Sequence, residues 1–405
     1  MMKTMSIRCC IAGGGPAGMM LGLLLARAGV DVAVLEKHAD FLRDFRGDTI
    51  HPSTLEVMHE LGILERLLAV PHQKVSRING QFGDLALTVA DFSSLSTHCR
   101  FVAFMPQWDF LNFLAGEAAR YSTFQLWRQA DVTGLVEESG TVVGLRANTP
   151  EGPIEVRANL VVGADGRHSI VRAKAGLSIE EFGAPMDVLW FRLSRQTNDP
   201  GDPIGRFDTG RIFIMLNRGN YWQCGFVIPK GSRDQLQEQG LPAFREVIAR
   251  LAPFLADRVG ELYDWEPIKL LTVQVDRLRQ WHRPGLLCIG DAAHAMSPVG
   301  GVGINLAIQD AVAAANLLAV PLREDRLKTD DLRQIQQRRE WPTRMTQRVQ
   351  LIIQNRVIRR VLTDTDKFSP PLAIRLLALL PFLRRVPARM IGLGFRPEHV
   401  SAQTR

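Results

Sequence analysis

Cysteine is scarce in this chain. Five are present, Cys9, Cys10, Cys99, Cys224 and Cys288, an odd number with no C-x-x-C spacing. That pattern argues against a disulfide framework and against a metal site, and it suits reduced core thiols in a cytoplasmic protein. No N-terminal segment reads as a secretory leader either. "MMKTMSIRCCIAGGG" passes straight into a strand-like run, with no separate apolar region and cleavage site. No uncharged apolar run approaches the roughly 18–20 residues of a membrane span. Aromatic and basic residues do not alternate as they would on a single-strand-binding surface, so no nucleic-acid partner is expected. Neither an internal repeat nor a low-complexity linker interrupts the chain.

What is present is an ordinary globular composition, 46% hydrophobic and 22% charged over 405 residues. That length accommodates two or three domains and a sizeable core. The net charge of +7 is uneven: 18 Lys+Arg against 8 Asp+Glu from Pro321 to Arg405 give this tail +10 and leave −3 for the rest. A basic tail suits an acidic partner or anionic lipid, and equally a solvated helical face.

The local patterns alternate between two styles. Ile7–Ala12 reads as a buried strand, Pro16–Ala28 as a helix stopped by Gly29, and Asp31–Glu36 as a second strand. This is βαβ order, which implies a parallel sheet covered by helices. Pro52–Leu61 and Trp108–Tyr121 read as helices, Thr141–Ala147 and Pro153–Ala158 as an antiparallel pair, and Leu160–Gly163 as another apolar strand. From Gly183 to Ile268 the style changes. Val188–Ser194, Arg211–Asn217 and Tyr221–Pro229 are rich in aromatic and β-branched residues, and Arg218–Asn220 is a hairpin signal. Leu286–Ile289 returns to the parallel style, and the chain after Ile304 reads as helical. The expected fold is α/β: a Rossmann-like domain with an inserted, mostly antiparallel sheet and a C-terminal helical region. The corresponding boundaries are 1–75, 100–182 and 268–320 for the first domain, 76–99 and 183–267 for the inserted sheet, and 321–405 for the helical region.

Three segments carry chemistry. In "IAGGGPAGMMLGLLLARAGVDVAVLEK", Gly13, Gly15 and Gly18 form G-x-G-x-x-G between a strand and a helix, with Pro16 in the first helical turn. Such glycines permit a tight turn, let backbone N–H groups approach a pyrophosphate, and let the helix pack close to the sheet. Glu36, at the end of the second strand, suits hydrogen bonds from ribose hydroxyls. In "VVGADGRHSIVR", Asp165–Gly166 turn the chain from strand to helix; by itself the segment reads equally as an ordinary turn. In "CIGDAAHAMSPVGGVGINLAIQDA", Gly290–Asp291 follow a strand, Pro298 offers a rigid surface, and Gly300, Gly301 and Gly303 open a helix. Gly303, Ala307 and Ala311 recur every four residues there, so close helix packing explains the segment nearly as well as a ligand.

Taken together, in this order and spacing, the three segments resemble the FAD-dependent aromatic hydroxylases, the single-component flavoprotein monooxygenases similar to para-hydroxybenzoate hydroxylase. The resemblance covers roughly residues 6–320. It implies that Gly13, Gly15, Pro16, Ala17, Gly18, Glu36 and Lys37 hold the ADP half of FAD. It places Asp165 and Gly166 at both FAD and the nicotinamide nucleotide, with Arg167 as a charge partner, and Gly290 and Asp291 at the ribityl chain. Pro298, Gly300, Gly301, Val302, Gly303 and Ile304 fall beside the isoalloxazine, Arg46 near the pyrophosphate, Gln107 against the cofactor, and Val132, with Asp131, near the adenine. The implied reaction uses NADPH or NADH as a transient reductant and O2, and transfers one oxygen atom to an aromatic or polyketide/quinone-like molecule through a flavin C4a-hydroperoxide. No second G-x-G-x-x-G offers a resident nicotinamide site, no metal is implied, and no base for ionising a phenol is identified, although His51, His168 and His294 lie near the motifs.

Substrate recognition is expected on the inserted sheet, where Trp190, Arg192, Phe213, Met215, Trp222 and Cys224 alternate along three strands; the same residues would also make a core. "LAIRLLALLPFLRRVPARMIGLGF" mixes apolar residues with arginines and is read as packing on the domain below or as peripheral membrane contact. A monomer or homodimer is expected. Two alternatives remain: an FAD-dependent reductase similar to geranylgeranyl reductases, and a non-catalytic binding protein on the same fold.

Overall fold

The computed structural model of the chain describes residues 3–42, 49–201, 203–363 and 370–401. Two large sheets organise it. The first has eight strands, with Lys3–Ala12 at its centre. Val32–Glu36 runs parallel on one side and Gly152–Gly163 on the other, and Phe124–Arg128 and Leu286–Cys288 extend the parallel array. Parallel neighbours need a crossover, and the helix Pro16–Arg27 supplies the first. Both faces of this sheet are covered, so Val32–Glu36 is buried at every position. The helix Gly303–Arg323 packs against Pro16–Arg27 and is buried along most of its length.

Two sequence expectations need correction. Pro153–Ala158 and Leu160–Gly163 are not separate strands; Gly152–Gly163 is one strand of 12 residues. Its first half pairs antiparallel with Thr141–Thr149, while Ile154–Gly163 pairs parallel with Lys3–Ala12. Asn159 does not interrupt it because its side chain points outward, where Nδ2 donates to Asp325 Oδ1 at 2.8 Å. The second correction concerns long apolar runs. Val299–Arg323 is long and apolar enough to cross a membrane, but 78% of its most apolar window is buried inside the protein, as in a core helix.

The second sheet has seven strands in the order Lys269–Leu271, Met186–Ser194, Tyr221–Pro229, Arg211–Asn217, Ile204–Asp208, Arg77–Phe82, Leu85–Asp91. All neighbours are antiparallel except Ile204–Asp208 and Arg77–Phe82. The expected hairpin is present, with Asn217 opposite Trp222. One face lies under the helix Leu241–Leu251, whose Phe244, Ile248 and Leu251 join a core with Phe191, Phe213 and Trp222. The opposite face carries Val188, Trp190, Ile212, Ile214 and Val227, and packs with Val299 and with Ile353, Ile358 and Val361 of the C-terminal helices. The tail is helical as expected: Thr329–Ile353 passes through a π-helical turn, Gln354–Ile358, into Arg359–Thr363, and Leu372–Leu379 and Arg385–Gly392 follow.

Candidate active site

The glycine fingerprint forms at the carboxyl end of the central strand. Gly13 has φ +103°, and a Cβ there would lie 2.5 Å from the Ala164 carbonyl oxygen. A Cβ on Gly18 would sit 2.0 Å from the Gly13 carbonyl oxygen, so neither position admits a side chain. Around Gly15 the space is open, its nearest neighbour being 4.0 Å from a hypothetical Cβ. Glu36 is buried, and its carboxylate accepts from Gly14 N at 2.9 Å and His38 N at 3.0 Å. These bonds tie the end of the second strand to the glycine turn beside the helix N-terminus. Pro16 begins that helix, Ala17 is buried beneath Gly290, and Lys37 is exposed. Arg46 lies outside the described residues. Gln107 opens the helix Gln107–Ala118, and Val132 sits in the strand Asp131–Glu138, opposite Ala147.

The other two motifs meet each other. Asp165 accepts from Ser169 Oγ at 2.5 Å and from Val171 N at 3.1 Å, so its carboxylate braces the turn into the next helix. Burial pushes its pKa up against the opposing effect of those hydrogen bonds. Gly166 turns with φ +85° into open space. Arg167 then reaches Asp291 at 3.8 Å and donates to the Thr272 carbonyl at 3.1 Å. Asp291 remains over a third exposed, free to take a further donor, whereas Gly290 is fixed: its N–H donates to Asp310 Oδ2 at 3.1 Å.

Asp310 is the hub of a buried charge network that spacing in the sequence did not reveal. His294 Nε2 lies 2.6 Å from Asp310 Oδ2, Arg339 Nε donates to Oδ1 at 2.9 Å, and Arg339 also meets Glu398 at 3.3 Å. All four side chains are essentially inaccessible. Burial alone raises the Asp310 pKa, but His294 and Arg339 outweigh it and hold the group below the ordinary carboxylate range. His294 is therefore a structural partner, and His168 is exposed on the turn beyond Gly166.

The segment Pro298–Gly303 is accessible, whereas the residues on either side of it are buried. Val299–Gly301 forms a 3₁₀ turn and the helix starts at Gly303. Gly301 has φ +64°, and a Cβ there would lie 2.6 Å from Thr49 Oγ1, which donates to the Gly301 carbonyl at 3.1 Å. The packing reading of the small-residue face holds at its inner end, while its outer end is left open. Ala307 packs on Gly290, while a Cβ on Gly303 would meet nothing closer than Met296 at 3.9 Å. Asn305 clamps this helix start to the strand Thr49–Ile50 and the residues after it: its Nδ2 donates to the Thr49 carbonyl at 3.4 Å, and its Oδ1 accepts from His51 N at 2.9 Å and Thr54 Oγ1 at 2.7 Å. Gln350 Nε2 donates to the carbonyls of Ser297 and Val299 and holds the segment from the other side.

His51 is buried, with Nδ1 2.7 Å from the Ile391 carbonyl oxygen. A carbonyl accepts only, so Nδ1 carries the hydrogen and Nε2 keeps its lone pair. Burial lowers its pKa to about 4, against a smaller upward effect of the Ile391 bond. Nε2 lies 3.7 Å from where a Cβ on Gly301 would stand and has no partner among the described residues. It is a neutral acceptor at this edge and too weak a base to ionise a phenol.

The substrate-side expectation fails for four of six residues. Phe213, Met215, Trp222 and Cys224 are fully buried in the core under the helix Leu241–Leu251. They occupy the wrong parity for a wall beside Val299. Arg192 is exposed and lies over the Tyr221 ring at 4.9 Å. Trp190 does face the Val299 side. Its indole Nε1–H is buried with no acceptor among the described residues. Register also aligns Gly80, Gly205, Ile214 and Gly225 across this face. Phe82, Phe207 and Trp190 lie close over the three glycines, and Phe82 stacks on Phe207 with centroids 4.5 Å apart. The glycines leave room for a flat aromatic panel, a signal that emerges only once the strands are in register.

Known proteins place this arrangement. The profile of the FAD binding domain family matches residues 6–349. The 6-methylpretetramide 4-monooxygenase of Streptomyces rimosus is 32% identical over 386 residues, covering 94% of this chain and 91% of that protein. Rifampicin monooxygenase of Streptomyces venezuelae is 28% identical over 311 residues, 74% of this chain and 61% of its own length. Among solved structures, the p-nitrophenol 4-monooxygenase PnpA of Pseudomonas putida superposes with a TM-score of 0.77 at 19% identity, covering 96% of this chain and 97% of that one, and so shares the fold. The open glycine turn, the acidic strand end and the accessible Pro298–Gly303 segment fit FAD in three separate parts of the chain. The chain belongs to the FAD-binding family of flavoprotein monooxygenases, and FAD is its cofactor.

Proposed function

We propose that this enzyme hydroxylates a flat, largely apolar aromatic molecule of the polyketide or phenol class, using NADH or NADPH and O2. The observation that carries the reading is the meeting of Val299, at the accessible glycine segment, with the sheet face that bears Trp190 and Phe207. Support for the substrate class comes from relatives named for 6-methylpretetramide, rifampicin and resorcinol, the last described as NADH-specific. These names favour oxygen transfer over the reductase and the non-catalytic alternatives.

FAD, when bound, supplies the electron transfer and oxygen chemistry. The chain supplies orientation, fixed dipoles and exclusion of water. Gly13, Gly15 and Gly18 open the helix N-terminus to the pyrophosphate, whose charge the helix dipole favours. Glu36 and Asp291 would accept from hydroxyls at the two ends of the cofactor. The Gly301 N–H is used within the turn, donating to the Pro298 carbonyl at 3.0 Å, so the backbone N–H groups of Val302 and Gly303, at the start of the helix Gly303–Arg323, are the ones that would face negative charge on the adjoining ring edge. Trp190 Nε1–H is a buried donor for an oxygen of the substrate, since an unpaired buried donor costs about 1–3 kcal/mol.

The sequence divisions stand as part of the proposal, with the return to the first sheet set after Leu271 because Lys269–Leu271 pairs with Met186–Ser194. Cytoplasmic location, a monomer or homodimer, and peripheral contact with a membrane through the basic C-terminal helices belong to it as well. The experiment is to follow NADH and NADPH oxidation by the yellow holoprotein with tricyclic and simple phenols under ¹⁸O2. Label in the aromatic product supports hydroxylation; alkene reduction without oxygen uptake overturns it.

A further inference from the structure

Eleven large apolar side chains stand exposed among the described residues, and six of them fall between positions 372 and 386: Leu372, Leu376, Leu379, Leu380, Phe382 and Val386. Leu372, Leu376 and Leu379 are spaced i, i+4, i+7 on the helix Leu372–Leu379, which places them in one stripe. Helices of globular proteins turn such a stripe toward the core. This one turns it out, with Leu372 and Leu379 73% and 75% exposed.

The charge carried by the segment itself is of one sign, although its inner side packs on the strand Leu85–Asp91, which ends in an acid. Arg375, Arg385 and Arg389 are exposed, and no Asp or Glu occurs from 370 to 397. Arg385 and Arg389, one turn apart, pair with no carboxylate among the described residues. The inner side of the same segment is anchored. Ala388 is fully buried, with Ile391 and Leu393 packed beside it, against Phe92, Leu95 and Phe104, and a Cβ on Gly392 would lie 2.8 Å from Leu95. Ile391 is also the residue whose carbonyl holds His51, and its Cγ1 lies 3.8 Å from where a Cβ on Gly300 would stand.

We propose that the outer face of residues 372–389 seats on an anionic lipid surface, with the leucine stripe and Phe382 at the acyl boundary and Arg385 and Arg389 at the headgroup phosphates. The composition, apolar on one side and purely cationic at its rim, is that of an interfacial helix. A second copy of the chain fits less well. A two-fold interface sets a patch against itself, and here that brings arginine toward arginine with no acid in the segment itself to relieve the repulsion. Lipid binding itself does not depend on the monooxygenase reading. Its consequence does: the segment that closes over the Gly300 edge is the one that touches the bilayer, so an apolar substrate reaches the active site from the membrane side.

The test is flotation of the FAD-loaded protein with vesicles of phosphatidylcholine alone and of phosphatidylcholine mixed with phosphatidylglycerol. The expected result is retention on the anionic vesicles only. It falls about fivefold for each of Arg385→Ala and Arg389→Ala, and falls again in Leu379→Ser/Phe382→Ser. All variants keep wild-type flavin absorbance and wild-type oxidation of a water-soluble phenol, a readout that separates failure of lipid binding from failure of the hydroxylase reading. Equal recovery on neutral and anionic vesicles overturns the proposal. So does a sedimentation-velocity dimer that Leu379→Ser/Phe382→Ser dissociates.

Discussion

The two sheets carry function in different ways. In the eight-stranded sheet the functional information is in the backbone. Gly13, Gly166, Gly290 and Gly301 all have positive φ and stand at strand ends or helix starts, where a side chain would strain the chain or block an approach. In the seven-stranded sheet it is in parity. Phe213 and Ile214 are adjacent in sequence, yet one belongs to the core under Leu241–Leu251 and the other to the face beside Val299. A backbone requirement writes itself into residue type, whereas a parity choice depends on which side another element covers.

Four substitutions break or sharpen this contrast. Phe213→Ala should have the largest effect, about 3–5 kcal/mol of stability lost to a core cavity, with KM for the substrate unchanged. Urea unfolding and steady-state kinetics read the two quantities; a KM change without a stability change would put Phe213 back on the substrate wall. Gly301→Val comes next. Left-handed strain and overlap with Thr49 Oγ1 together amount to roughly 3 kcal/mol, or roughly a hundredfold in FAD affinity if the seat absorbs it. Apoprotein titration with FAD checks this, and normal flavin content would return the segment to a packing role alone.

His51 supplies a pH test of comparable size. Its folded pKa, about 4, lies below the ordinary 6.5, so the folded protein binds fewer protons than the unfolded chain between these values. The contribution is complete above about pH 6.5 and is lost as pH falls through about 4, a total of roughly 3 kcal/mol. His51→Gln should flatten that limb of the stability profile, and an unchanged profile would show that His51 titrates normally. The smallest effect is expected for Trp190→Phe. Loss of the indole donor should raise KM about fivefold, equivalent to about 1 kcal/mol, while flavin content and stability hold. A variant with unaltered KM would leave the indole without a substrate partner.

These contrasts explain what was legible beforehand. The βαβ start, the antiparallel insert and the helical tail follow from periodicity and from Gly and Pro positions, and the three motifs lie at the strand ends where they were expected. Glu36 was readable because strand, helix and acid are close in sequence. Asp310, Asn305 and Gln350 were not, because each meets a partner brought from another segment: Gly290 and Arg339, the strand Thr49–Ile50, and the Ser297 carbonyl. The aromatic panel is illegible in the sequence for a related reason. Its glycines, Gly80, Gly205 and Gly225, come from three strands and align only through register.

The bond between Arg339 and Glu398 gives the floor of the FAD site, the turn at Gly290 and the segment Pro298–Gly303, a temporal property. Gly290 is fixed by Asp310, Asp310 by Arg339, and Arg339 by a residue more than a hundred positions beyond the glycine it helps to hold. On an elongating chain the glycine turn at the amino end can form early, but the floor cannot reach its final shape until the segment bearing Glu398 has emerged and docked. Yellow colour is therefore expected to be acquired late in synthesis, and a ribosome-stalled chain ending before Glu398 should bind FAD more weakly than the released protein.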